Sequence, residues 1–244
     1  MNTTQSLITA LAHPDETQRR QAALALGAAQ DSSVVDALVD RIRVEPSSCV
    51  REDLTWAIVQ HAAAAEPQLS ALLESRESDD RRTAAHVLSK VADPAHFERV
   101  SPLVADGHAD VAIKAYRAAA NTGGARAVDA LAARLGDGDL LQRDALTNAF
   151  ASIGAESVPV LVAALASDRP EVREHAVETL GHLGEDAAAA AAPLAAVAED
   201  AEPTIRIAAV AALGQLGESS LEELRRLADG PDTVVAQLAA RYLA

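Results

Sequence analysis

Apolar residues recur along this chain with the period of short helices. In 171–184, EVREHAVETLGHLG, an arginine is followed by apolar positions at offsets of about three, four, six and seven, which together make one face of a helix. The frame returns as TIRIAAVAALGQLG at 204–217, QRDALTNAFASIG at 142–154, QRRQAALALGAA at 18–29, VREDLTWAIVQH at 50–61 and DRRTAAHVLSKV at 80–91. The anchoring arginines are Arg19, Arg51, Arg81, Arg143, Arg173 and Arg206, and two weaker frames carry Ala112 and Val235 instead. Successive anchors lie about 31 residues apart, the spacing of helical-repeat arrays.

A second short apolar segment precedes each frame, among them SLITALA at 6–12, VVDALVDRI at 34–42, PQLSALLES at 67–75 and LEELRRLA at 221–228. The joins HPDE, SDRPE, EDAEP and DGPD place Asp or Ser beside Pro. Such residues offer acceptors and a preset φ at a helix start. Gly181, Gly184, Gly214 and Gly217 are read as stops of the second helices. Each unit is thus helix A, turn, helix B and link. One pair cannot bury its apolar face alone, but a stack of pairs forms a continuous core. The expected fold is all-α, a right-handed α-solenoid (α-α superhelix) of about eight helix-turn-helix repeats, running over 1–244 as a single domain.

Composition supports thin, closely stacked helices: 49% of residues are hydrophobic but only 2% aromatic, so Ala, Leu and Val carry the core. The formal net charge of −15 disfavours nucleic acid, which needs a basic track. An acidic surface keeps a chain soluble or meets a basic partner. Cys49 is the only cysteine, which excludes an internal disulfide and suits a reducing compartment. The N-terminus MNTTQSLITALAHPDE has no basic n-region and no long apolar core. No uninterrupted apolar run reaches membrane-spanning length, so a cytoplasmic monomer is expected, with no membrane partner.

The segment VREHAVETLGHLG, preceded by DRP, resembles the HEAT repeat in the short form associated with phycobilisome bilin lyases. The resemblance covers nearly the whole chain. It implies the solenoid fold, and as functions it spans adaptors, bilin lyases, deoxyhypusine hydroxylases and a class of DNA glycosylases. It also implies that the anchor arginines ladder with acidic residues of neighbouring turns, for which Asp15, Asp79 and Asp168 stand shortly before their anchors.

In that architecture the B helices line the concave face, and their positions one, two and five after each anchor should meet solvent. These give Arg20, Gln21 and Leu24; Glu52, Asp53 and Trp56; Arg82, Thr83 and His86; Ile113, Lys114 and Arg117; Asp144, Ala145 and Asn148; and Glu174, His175 and Glu178. The candidate binding residues are Trp56, Arg82, His86, Lys114, Arg117 and Asn148. Trp and Arg are the side chains most enriched at binding hot spots. A locally basic groove on an acidic chain favours a protein or peptide partner with an acidic segment. The small apolar floor near Ala208 and Ala211 suits a partner helix.

One chemical candidate stands beside this. Glu174, His175, Glu178 and His182 are neighbours on one helix and suit a transition metal, in a metal-dependent or small-molecule enzyme of the deoxyhypusine-hydroxylase-like or bilin-lyase-like type. The hydroxylase pattern is His-Glu, whereas the order here is Glu-His and no second pair accompanies it. No phosphate loop, CxxC or HExxH occurs, no catalytic residue is assigned and no cofactor is expected. The expected function is a non-enzymatic scaffold or adaptor.

Overall fold

The computed structural model describes residues 3–244, which form sixteen α-helices joined by turns and short 3-10 segments, with no strand among the described residues. They fall into eight A–B pairs: α1 (Thr3–Ala10) with α2 (Glu16–Ala28), α3 (Val35–Val44) with α4 (Ser48–Gln60), α5 (Ala62–Leu73) with α6 (Ser78–Val91), and α7 (Phe97–Val100) with α8 (Ala109–Gly123). The series continues with α9 (Val128–Ala132) and α10 (Leu140–Ile153), α11 (Val158–Ala164) and α12 (Pro170–Leu183), α13 (Ala191–Val197) and α14 (Pro203–Gln215), and α15 (Leu221–Ala228) and α16 (Thr233–Arg241). Every anchor position falls on a B helix, so the period of the sequence is the period of the fold, an α-solenoid.

The offsets that define the frame are the buried ones. On α6 they are Ala84, Ala85, Val87 and Leu88, and on α14 Ala209, Val210, Ala212 and Leu213, all buried. Small residues there let neighbouring B helices approach closely. A Cβ on Gly27 would lie 2.7 Å from the Ala57 Cα, and one on Gly181 would lie 3.0 Å from the Ala212 Cα. Gly181 and Gly214 are therefore not stops: they lie inside α12 and α14. The stops are Gly184 and Gly217, at φ +58° and +68°.

The chain forms two compact units, one up to Ala118 and one from Ala119. In the first, α2 packs on α4 and α4 on α6, while α3 packs on α5. In the second, α10, α12, α14 and α16 stack in turn, with α9 against α11 and α13 against α15. Residues 140–164 are apolar enough on average to cross a membrane. The segment is nevertheless interrupted: Gly154, at φ +79°, ends α10, and Leu146, Phe150 and Leu161 are buried in the second unit.

Anchor arginines fasten the stack. Arg19 donates to the carbonyls of His13 and Pro14 and pairs with Glu45; Arg81 donates to the carbonyls of Ser75 and Arg76 and pairs with Asp106 at 2.7 Å. Arg173 repeats this with the Ser167 carbonyl and Asp200, and Arg206 with the Asp200 and Ala201 carbonyls and Asp232. The ladder is real, but its acids come from the A–B turn of the following repeat, the link that leads into the next B helix. Asp15, Asp79 and Asp168 are not its acids: Asp15 caps α2 by accepting from the Gln18 N–H, Asp79 pairs with Arg82, and Arg173 pairs with Asp200 rather than with Asp168. An acid just before the anchor sits at the helix start, where free N–H groups claim it. Burial pushes the Glu45 carboxyl up, but hydrogen bonds from Arg19, Arg41 and the Ser47 N–H outweigh it and hold the group at about 2.

Candidate binding cleft

Two anchor arginines, Arg51 and Arg143, break the ladder. The ladder acid of each link also accepts from the backbone N–H two residues on, as Glu45 does from Ser47, Asp106 from His108 and Asp200 from Glu202. In the links before α6 and α12 that place is held by serines, with Ser75 accepting from the Glu77 N–H and Ser167 from the Arg169 N–H. A serine completes the turn but leaves a guanidinium without its carboxylate.

In the first unit the nearby acid is already committed. Asp80 accepts from both Nε and an Nη of Arg43, at 2.8 and 2.9 Å, and from the Ser75 hydroxyl. Arg51 donates to the Thr83 hydroxyl at 2.9 Å and, among the described residues, has no carboxylate within ion-pair distance. Burial, and then the neighbouring Arg82, pull its guanidinium below its usual range.

Arg51 opens onto a cleft of about 480 Å³ whose lining also includes Arg82, Lys114 and His86, with Ile42, Pro46, Ser48, Thr55 and Thr83 between them. Two carboxylates line it as well. Glu45 is spent on Arg19 and Arg41, and Glu52 meets His86 Nε2 at 2.9 Å. Asp79 reaches one Nη of Arg82 from outside, while the Arg82 Nε is buried without a partner. Burial lowers the His86 pKa; Glu52 opposes this and Lys114 adds to it.

Of the residues expected to bind, Arg82, His86 and Lys114 come together here. Trp56 does not join them: it is 41% exposed and lies over Gly27, beside Gln60 and His61, in a separate cleft that no Asp, Glu, Lys or Arg lines. Arg117 is exposed and lines neither cleft, and Asn148 belongs to the second unit, where it donates to the Asp144 carbonyl of its own helix. Arg51 was missed because it reads as one more ladder arginine. Ser75, in the acid's place, was the available signal.

The second unit corrects another expectation. His175 is fully buried, not solvent-facing. Its Nδ1 accepts from the Gly136 N–H at 3.1 Å, so its Nε2 carries the proton, near the Thr147 hydroxyl and the Arg143 carbonyl. Burial, and then the charge of Arg143, hold its pKa down to about 4. Thr83, at the same offset from its anchor, is buried too, whereas Gln21 is exposed as expected and Lys114 is half-buried. Glu174 and Glu178 remain on the surface side, and burial followed by Glu174 pushes the Glu178 carboxyl up. Glu174, His175, Glu178 and His182 therefore do not converge; among the described residues no three His, Cys, Asp or Glu side chains form a metal-holding group. Farther along, His182, Ala208, Ala211 and Gln215 line a shallow, small-residue depression of about 430 Å³.

The family model for HEAT repeats matches residues 65–151 and 158–244, and that for the PBS lyase HEAT-like repeat matches residues 18–42. This chain belongs to the HEAT-repeat family. No curated protein sequence matches it. Among solved structures, this HEAT-repeat chain is similar to the karyopherin Kap121p bound to the SUMO protease Ulp1p, at 14% identity and TM-score 0.61, covering 98% of this chain and 32% of that one. It is similar to importin beta at 16% identity and TM-score 0.58, covering 99% and 42%. The chain thus spans a third to two fifths of these two proteins' length. The CpcE–CpcF complex of phycocyanin lyase from Nostoc sp. PCC7120 matches over 92% of this chain and 93% of that one, at 21% identity and TM-score 0.46.

Proposed function

We propose that this HEAT-repeat chain is a non-catalytic adaptor that captures an acidic protein segment along the B helices of its first unit. The observation that carries the reading is the cleft itself. Three fixed cations, Arg51, Arg82 and Lys114, line one recess of a chain whose net charge is −15. Such local reversal of sign is the electrostatic signature of a recognition surface rather than of solubility. Trp56 and Leu24, both 41% exposed on neighbouring B helices, add apolar area of the kind that anchors a bound chain. At the level of fold alone, the Kap121p–Ulp1p complex is an instance of a similar solenoid holding a protein.

The test is affinity capture from the source cell's lysate with the full chain, followed by cross-linking to place the partner. A partner that cross-links to α4 and α6, weakens with salt and is lost by the Trp56→Ala, Arg82→Ala double variant supports the reading. Undiminished capture by that variant, with native circular dichroism, overturns it.

A further inference from the structure

The cation cleft brings together more positive charge than one acidic side chain balances. Its own carboxylates cannot fill it, because Glu45 has two arginine partners and Glu52 leans on His86. A lone carboxylate has two oxygens and one charge. It can bridge two guanidiniums, as Glu45 does with Arg19 and Arg41, but its single charge falls short of three cations. A phosphate monoester brings close to two negative charges and three acceptor oxygens. It can accept from two guanidiniums and an ammonium at once, and Ser48 adds a hydroxyl to the same wall. The buried, unpartnered Nε of Arg82 and the carboxylate-free Arg51 are donors of the sort such an oxyanion satisfies.

We infer that the Arg51–Arg82–Lys114 cleft is a phosphate-monoester site, taking a phosphorylated side chain of the captured protein segment. The inference rests on the adaptor reading above and specifies the chemistry its cleft selects. Phosphorylation of the partner then acts as the licence for capture, since unmodified serine brings no charge to the cleft.

Isothermal titration of the full chain at constant ionic strength tests this, using inorganic phosphate and three matched peptides in a Gly-Ser background with a central phosphoserine, glutamate or serine. Phosphate is expected to saturate one site, and the phosphoserine peptide to bind at least about tenfold more tightly than the glutamate peptide. Arg51→Gln and Lys114→Gln are each expected to weaken the phosphoserine peptide about fivefold or more, whereas Arg117→Gln leaves it unchanged. Lys114 is only part-buried and has no ion pair among the described residues, so its variant stays informative should Arg51→Gln fail to fold. Equal affinity for the glutamate and phosphoserine peptides overturns the phosphate site while leaving acidic-segment capture standing. No saturable binding, or indifference to Arg51→Gln and Lys114→Gln, also overturns it. Loss of the adaptor reading is a separate result, read from the capture experiment alone.

Discussion

Arg51 in the first unit and Arg143 in the second start from the same deficit, a serine where the ladder places an acid, and end in different surroundings. Around Arg143 the second unit fills the gap in part, leaving its Nε without a partner. Glu174 lies 3.8 Å away, the Gly136 carbonyl accepts from one Nη, and the buried His175 ties the link's Gly136 N–H to the Arg143 carbonyl. Thr147 and Thr179 close that network, with Thr179 donating to the His175 carbonyl at 2.7 Å. Around Arg51 there is only Thr83, then open cleft. One missing acid is absorbed into the scaffold and the other is left for something outside the chain to satisfy. The pair teaches that a broken repeat pattern points to function only where the fold does not mend it.

The largest way to break this comparison is to remove the mend. His175→Leu strands the buried Gly136 N–H and leaves the Thr147 hydroxyl with Thr179 alone, and is expected to cost about 3 kcal/mol by urea denaturation. A loss below about 1 kcal/mol would mean that His175 repairs nothing. The same network has a pH signature. The unfolded His175 titrates near its ordinary value of about 6.5 and the folded one at about 4. Below about 6.5 the unfolded state takes up the proton first, so stability falls as pH drops towards about 4 and is insensitive to this group above and below that window. The gap corresponds to about 3 kcal/mol at most. Comparing wild type with His175→Gln between pH 7 and pH 4 isolates it: the variant's stability is expected to fall less steeply over this range. Parallel slopes would exclude the assignment.

The smallest effect on stability is the most discriminating. Ser75→Asp and Ser167→Asp each restore the acid to its link. Ser167→Asp is expected to change stability by no more than about 1 kcal/mol. Ser75→Asp is expected to cost somewhat more, because it sets a second carboxylate beside Asp80. Their consequences for binding diverge. Ser75→Asp gives Arg51 a carboxylate and is expected to abolish phosphate binding in the titration above, while Ser167→Asp leaves it intact. Equal binding by both variants would show that the unfilled rung does not define the cleft.

Much of this was legible in the sequence, for definite reasons. The frame is carried by residues within eight positions of each anchor, so Ala84, Ala85, Val87 and Leu88 reveal a buried face without knowledge of any neighbour. Arg82, His86 and Lys114 followed from the complement of that face. Three other features depend on residues of another repeat. Arg51 becomes available only because Ser75 replaces an acid and Arg43 occupies Asp80. His175 is buried because Gly136, Thr147 and the Arg143 carbonyl of the preceding repeat take up its ring nitrogens. Gly181 ends nothing because Ala212 needs its missing side chain. Periodicity registers such positions as ordinary, and only the stacking assigns them partners.

The contact between Trp56 and Gly27 has an optical consequence. The chain's only indole rests across the seam of α2 and α4, where a Cβ on Gly27 would come within 2.6 Å of its ring, and it stays partly in water. Its emission therefore reports, without any label, on the fit between the first two B helices. Prising them apart would wet the ring and shift the spectrum to the red, while a ligand covering it would shift the spectrum to the blue. The protein carries its own gauge of strain at one end of the array.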